Sequence, residues 1–519
     1  SGAGNPLLIN STGTTFTYTT STGLSTAGTY ETFTTDASGN YTGWFGFVYT
    51  SNAAFTAGNV VYPTITLNAG GTGTTVNKRL ALDLGITVLA FSTSAGITNG
   101  TFVNGTSLGT DKNLVALYDN ISGTGTLRVT GTGKLELYNS SNGTFTGATT
   151  IDSGATLQLD YGKLGGDITN NGTLYFYSPS SMNYAGVISG SGNVKQNYGT
   201  LTFSGANTYT GNTLIGPDGG STFYLGNGGT TGSLASASNI SVGSGSTLYF
   251  NRSNAMTVAN TISGAGAVSL VTQSGRDWNT DPSAIVTLTG DNTYTGITYL
   301  NPFTQLQLGS GGTTGSLATS STIYMHRGTN LITNRSDNIT LANYIKNWDS
   351  YGPTWNNVDT QSNKFIQNGT GTVTLSNNSN DFYGKTVINA GAVTFNNTGS
   401  FGNGSNQISF GGGAIKYIAA NKTDYSNKFS TAANQQYSVD VNGQAITWAT
   451  ALNSSGGSLT VADSAGSGSL NLTANNTYSG ATNINGGNLT FSGSGAATSS
   501  TALNIGGNAS YTLSNTSAF

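Results

Sequence analysis

LGNGGTTGSLA, residues 225–235, and LGSGGTTGSLA, residues 308–318, are one phrase written twice. Ten of the eleven residues agree, the copies lie 83 positions apart, and neither carries a charge. A glycine-rich loop can cradle a phosphate on its backbone N–H groups, but a nucleotide loop also needs a lysine after its last glycine. Here that place is held by Ser233 or Ser316. A dinucleotide loop needs a helix next and an acidic residue about 20 positions on. After Ser233 the chain continues LASASNISVGSGSTLYF, rich in β-formers and without acids. The phrase reads as a tight glycine-bearing turn between strands.

The duplication runs further. NRSNAMTVAN at 251–260 returns as NRSDNITLAN at 334–343, again 83 positions on, with the apolar positions 256, 258 and 259 kept apolar. Two shorter phrases also recur. One joins an aromatic residue, a small residue and a glycine: GANTYTG (205–211), GDNTYTG (290–296) and ANNTYSG (474–480), with looser copies at 142–147 and 380–384. The other has the form ISGxGx[VL] and starts at Ile121, Ile188 and Ile262, with a variant at 368–373. Short β-runs separated by Gly, Asn and Ser turns, repeating imperfectly every few tens of residues, indicate a solenoid. The chain is therefore expected to be all-β, a parallel β-helix in which coils stack about 4.8 Å apart. On this reading Gly211, Gly228, Gly229, Gly296, Gly311, Gly312 and Gly480 are structural turns. A copy 83 residues on is expected three or four whole coils away, stacked on the same face. LANYIKNW (341–348) reads as strand, by analogy with its repeat partner.

Composition narrows the function. Charged residues make up 7% of the 519, against about 25% in ordinary soluble proteins. Glycine contributes 76 residues and proline 7. Aromatics at 10%, with alternating stretches such as TTFTYT (14–19), set the chain apart from disordered polar sequences. A net charge of −3 without a basic patch argues against nucleic acid as a partner. No apolar run approaches the 18 or so residues of a membrane helix, so no membrane insertion by this chain is expected. There is no cysteine, so the chain offers no disulfide and no thiol chemistry.

LTFSGANTYTGNTLI (201–215) and VTLTGDNTYTGITYL (286–300), each followed by LGxGGTTGSLA, resemble the autotransporter-associated β-strand repeats of bacterial surface proteins. The resemblance covers roughly residues 110 to 519. It implies a right-handed β-helix, an extracellular or cell-surface location after signal-peptide removal, and a role in secretion, display or adhesion. The family pattern usually leads to a C-terminal membrane β-barrel, whereas this sequence stops in repeat-like residues.

Residues 1–60 lack the repeat phrases and are expected to form an N-terminal β-rich cap or small β-domain, with the solenoid at 61–519. Within 1–20, Leu7, Leu8, Ile9, Phe16 and Tyr18 make a candidate donor strand for another copy. Non-repeat insertions are expected near 269–285 and 346–365. They carry Trp278, Trp348 and Trp355, candidate contacts for sugars or for a neighbouring subunit, or else small satellite cores.

Catalytic signals are sparse. His326 is the one histidine, and Glu31 and Glu136 are the two glutamates. Asp277 and Asp281 form the nearest approach to an acidic cluster, while glycoside hydrolysis needs a facing carboxyl pair. No catalytic residue, metal ligand or cofactor is expected. The reading is a non-enzymatic secreted β-solenoid, the subunit of a surface fibre assembling head to tail, with adhesive capacity. Its partners would be copies of itself and cell-surface or matrix polysaccharide. The alternatives are a single-copy passenger adhesin and a tailspike-like β-helix that binds or cleaves carbohydrate.

Overall fold

The computed structural model describes residues 145–514, apart from 161–163, 178, 272–284, 349–362 and 403–405. Before residue 145 it describes the strands Leu8–Asn10, Thr15–Tyr18, Glu31–Thr34, Thr64–Asn68, Thr75–Arg79, Thr87–Ser92, Leu114–Leu117, Leu127–Gly131 and Lys134–Tyr138. The fold is an all-parallel β-solenoid of about 16 turns with essentially no helix. Its helical residues, among those described, are two 3-10 turns, Thr398–Phe401 and Ser426–Lys428. Leu341–Trp348 carries strand, as its repeat partner implies: Ile339–Leu341 and Ile345–Asn347. From Leu114–Leu117 onward successive strands stack in parallel. Earlier pairing is mixed: Leu8–Asn10 runs parallel to Ala90–Ser92, while Thr64–Asn68 with Thr75–Arg79 and Thr87–Ser92 with Leu127–Gly131 are antiparallel.

The chain divides into two compact units, Ser1–Tyr249 with Ser263–Gly266, and Phe250–Ile262 with Ala267–Phe519. In the first, one coil reads Ile168–Asn170, Thr173–Tyr177, Ser181–Tyr184, and then Ile188 falls into register on Ile168. Strand residues alternate in and out, so each inward position becomes a column along the axis. Leu135, Leu157, Leu174, Val194, Thr213 and Ile240 form one such column, all buried. The second unit repeats the principle with Val286, Leu306, Leu331, Phe365, Thr386 and Ile408.

Coil lengths vary. Ile168 pairs 20 positions on with Ile188, while Asn330 pairs 34 positions on with Lys364, across the segment containing 349–362. The strands that lead into the two duplicated phrases belong to different sheets. Thr222–Leu225 is laddered with Thr200–Phe203, whereas Gln305–Leu308 sits between Ile285–Leu288 and Asn330–Thr333 in a different sheet.

The recurring aromatic phrase has two buried functions. Its asparagine ties coils together. Asn292 Oδ1 accepts from Ile262 N (3.0 Å), while Nδ2 donates to Gly290 O (2.7 Å) and Ser316 O (3.0 Å). Asn207 and Asn476 repeat this pattern on Ile188, Gly205 and Ser233, and on Leu452, Ala474 and Ala496. Its tyrosine enters the core. Tyr294 OH meets Thr298 Oγ1 at 2.7 Å, and Thr298 Oγ1 meets Ser321 Oγ at 3.0 Å. Tyr209–Thr213–Ser238 and Tyr478–Thr482–Ser500 are the same relay. Each threonine stands in an apolar column; Thr298 lies between Val268 and Ile323. It has the shape of valine, and its hydroxyl gives the buried phenol a partner. Burial pushes the Tyr294 phenol well above its ordinary pKa, so it stays protonated.

The duplicated glycine phrase is explained by what surrounds it in the second unit. Gly309 and Gly315, at φ 79° and 99°, cross so closely that a Cβ on Gly315 would strike the Gly309 backbone. Asp291 Oδ1, one coil earlier, accepts from Gly315 N (3.0 Å) and Ser316 Oγ (2.9 Å). One coil later, Asn334 O accepts from Gly311 N (2.7 Å), and Arg335 donates to Thr313 O and to Asp337 Oδ2 (2.7 Å). The phrase and its NRS partner stack on each other, so the two are found together in each copy. With the Gly311 and Gly315 amides engaged in this way, the loop is no phosphate cradle. Of the other glycines expected to turn the chain, Gly228 and Gly311 have φ 89° and 95°, and Gly211 and Gly480 press on Gly192 and Gly457 of the coil beneath. The Gly296 carbonyl accepts from Ser321 Oγ at 2.7 Å. Gly229 has only Asn227 Oδ1 near its missing Cβ, and Gly312 has open space.

Thr298→Val keeps the column filled but strands the Tyr294 phenol, at a cost of about 1–3 kcal/mol. The expected readout is a loss of amide hydrogen-exchange protection around 290–321, since a solenoid opens locally. Adding Tyr294→Phe removes the orphaned hydroxyl and should restore most of the protection. Asn292→Ala, which removes three hydrogen bonds at once, should cost more than Thr298→Val in the same measurement.

Candidate functional site

Stacking in register also builds columns on the outside. In the second unit Thr298–Leu300, Ile323–Met325 and Ile345–Asn347 are consecutive rungs of one ladder. Thr298, Leu300, Ile323, Met325 and Ile345 point inward and are buried. The residues between them point out: Tyr299 lies opposite Tyr324, and Tyr324 opposite Lys346. The two tyrosine rings stack at 5.6 Å and 10°.

Trp348 completes the surface. Its backbone N donates to Met325 O at 3.1 Å, which continues the ladder by one residue. The indole stands edge-on to Tyr324 (4.6 Å, 85°) and Tyr299 (5.3 Å, 88°), with His326 tilted beside it at 5.5 Å. Aromatic contacts of this kind contribute about 0.5–1.5 kcal/mol each beyond area burial. They hold the indole in place while it remains 42% exposed. The Lys346 ammonium lies 5.5 Å from the Tyr324 centroid and 5.9 Å from that of Tyr344. Asp381, from the next coil, accepts from Asn347 N (2.8 Å) and from Tyr344 OH (3.1 Å).

The first unit has outer aromatics of its own. Tyr224 stacks on Tyr249 at 4.6 Å. Tyr175, Tyr177 and Tyr198 meet edge to face at 5.9 and 5.4 Å. Tyr198 is 43% exposed and sits at φ 62°, a left-handed conformation that costs a non-glycine residue about 1–2 kcal/mol.

Of the three tryptophans singled out by sequence, Trp348 is placed on this face, and Trp278 and Trp355 lie outside the described residues, as do Asp277, Asp281 and Leu7. Leu8 and Ile9 are in an edge strand already paired with Ala90 and Phe91 of the same chain, and Phe16 and Tyr18 are paired with Phe33 and Glu31. His326 packs against an indole, and among the described residues no group of three or more His, Cys, Asp or Glu could hold a metal ion. Tyr299, Tyr324 and Lys346 were not found from sequence. Each sits between two inward residues, a visible alternation, but their meeting depends on coil lengths of 25 and 22 residues that only the register reveals.

One carboxyl pair was also hidden in the sequence. Glu136 and Asp160 lie on adjacent rungs, and the Gln158 amide between them donates to Glu136 Oε1 and to Asp160 Oδ1 (2.9 Å). Lys134 Nζ donates to Gln158 Oε1 at 3.0 Å. Burial, followed by the hydrogen bond and charge of Glu136, pushes the Asp160 carboxyl up to about 8. A glycosidase pair faces a cleft with room for sugar, but Asp160 is buried.

Five segments match the passenger-associated-transport-repeat family: residues 127–159, 194–221, 283–301, 365–395 and 465–491. Three of them contain the buried tyrosines 209, 294 and 478. Over 208 residues the chain is 31% identical to the autotransporter adhesin/invasin TibA of Escherichia coli O78:H11. That alignment covers 37% of this chain and 20% of the relative, so the chain spans about a fifth of the length of the protein it matches. No solved structure matches it.

Asp160 gives a pH test. Its folded pKa of about 8 lies above the ordinary 3.8, so the native state holds this proton more tightly than the unfolded chain. The associated stability is present below pH 3.8 and is lost as pH rises to about 8. Asp160→Asn should therefore flatten the fall in urea midpoint across that window, measured by circular dichroism. A variant that tracks the parent at every pH would show that the carboxyl ionises as easily as in water.

Proposed function

We propose that this chain is a stretch of the passenger region of an autotransporter adhesin, a β-solenoid displayed at the cell surface or released from it, and that its outer aromatic face makes adhesive contact. The observation that carries this is the coincidence of matched repeats and fold. The segments similar to passenger repeats are the rungs and aromatic turns that close successive coils. The relative's description as an adhesin supplies the direction of the reading. The solenoid is a scaffold of hydrogen-bonded coils, and its outward columns of Tyr and Trp are what a partner meets. Beads coated with the purified chain should adhere saturably to epithelial cells, with free chain competing. Adhesion no greater than that of albumin-coated beads would overturn the proposal.

Head-to-tail assembly is the second reading. It is supported by the low charge of the chain, which leaves little electrostatic repulsion between neighbouring copies. Negative-stain electron microscopy at two protein concentrations tests this: filaments lengthening with concentration are expected, and separate short rods at both would remove the filament from the proposal. Deleting residues 1–20 tests whether the N-terminal strand contributes.

A further inference from the structure

Lys346 differs from four other cations of this chain. Arg128, Lys134, Arg335 and Lys416 each lie within 4 Å of a carboxylate, on Asp152, Glu136, Asp337 and Asp440. The Lys346 ammonium has no carboxylate at that distance among the described residues and is instead poised over Tyr324 and Tyr344. It stands two positions before Trp348 on the same outward face. Arg327 lies one rung away, beside the Phe303 ring at 5.9 Å. The one described carboxylate on this face, Asp381, is engaged by Asn347 N and Tyr344 OH.

We infer that Trp348 and Lys346 form a subsite for a carboxylated pyranose of an acidic polysaccharide. This rests on the adhesive reading above and names the chemistry of its ligand. A pyranose presents a flat array of C–H bonds that packs on an aromatic face, and the indole is rigidly held and exposed. A uronic-type carboxylate at the ring edge meets the Lys346 ammonium. An uncharged sugar keeps the stacking but forgoes the ion pair. In a chain with 17 lysines and arginines among 519 residues, an unsalted cation beside an exposed tryptophan is a selective feature.

The test is titration of the full chain with a short oligogalacturonate and with an uncharged gluco-oligosaccharide of the same length, followed by calorimetry at low salt. The acidic oligomer should bind roughly two- to fivefold tighter, the range of an exposed charge pair, with the margin shrinking as salt screens it. Lys346→Gln should erase the margin and leave binding of the neutral oligomer unchanged. Trp348→Ala should weaken both by up to about tenfold, and Trp348→Phe should recover part of the loss. Circular dichroism spectra matching the parent keep the variants comparable. Equal affinity for the two oligomers, or an acidic preference that survives Lys346→Gln, overturns the carboxylate assignment. Absence of binding, or binding indifferent to Trp348→Ala, overturns the subsite altogether. If the beads still adhere to cells in either case, the adhesive reading stands without it; if they do not, that reading fails on its own measurement.

Discussion

A single buried amide, repeated, holds this molecule together. The side chains of Asn207, Asn292 and Asn476 each accept from a backbone N–H of one coil and donate to carbonyls of another, where water cannot reach. Asn380 does the same between Ile345 N and Ser400 O. A solenoid turns at corners where the sheet ladder is interrupted, and the freed backbone groups must find partners or cost about 1–3 kcal/mol each. Asparagine, with an acceptor and two donors on a short stem, fits that need. The chain has no cysteine for disulfides, and these corners are closed by neutral hydrogen bonds.

The low charge has its origin in the same constraint. In register, every outward residue faces a counterpart one coil away, and like charges in that position would repel along the axis. Neutral amides instead bond to each other, as Asn389 does to Asn368 and Asn504 to Asn483, both at 2.8 Å. Tyrosines stack. The surface is therefore composed of columns, and a column of aromatic rings gives a rigid face at little entropic cost. Recognition can be built by changing outward residues while the inward columns stay as they are.

Duplication of whole blocks suits such an architecture, because the parts that touch are copied together. The glycine phrase needs the Asn-Arg-Ser segment stacked beside it, and Arg252 donates to Asn254 as Arg335 does to Asp337. The copies nonetheless enter different sheets. A block carries its own corner and neighbour, and it works on any face where the coil length delivers it.

The sequence by itself determined the architecture: glycine corners, β-runs and recurring asparagine-aromatic phrases leave few folds open, since each encodes a local backbone requirement. Read residue by residue, it also pointed to Trp348, which has no repeat counterpart. It left dark whatever depends on register. The Tyr–Thr–Ser relays, the Tyr299–Tyr324 stack beneath Trp348, the Glu136–Asp160 pair and the face on which each repeat lands were decided only by the tertiary structure. The reason is physical: a coil can lengthen from 20 to 34 residues without disturbing the ladder. Sequence spacing then no longer says which side chains meet, and the hydrogen-bonded register does.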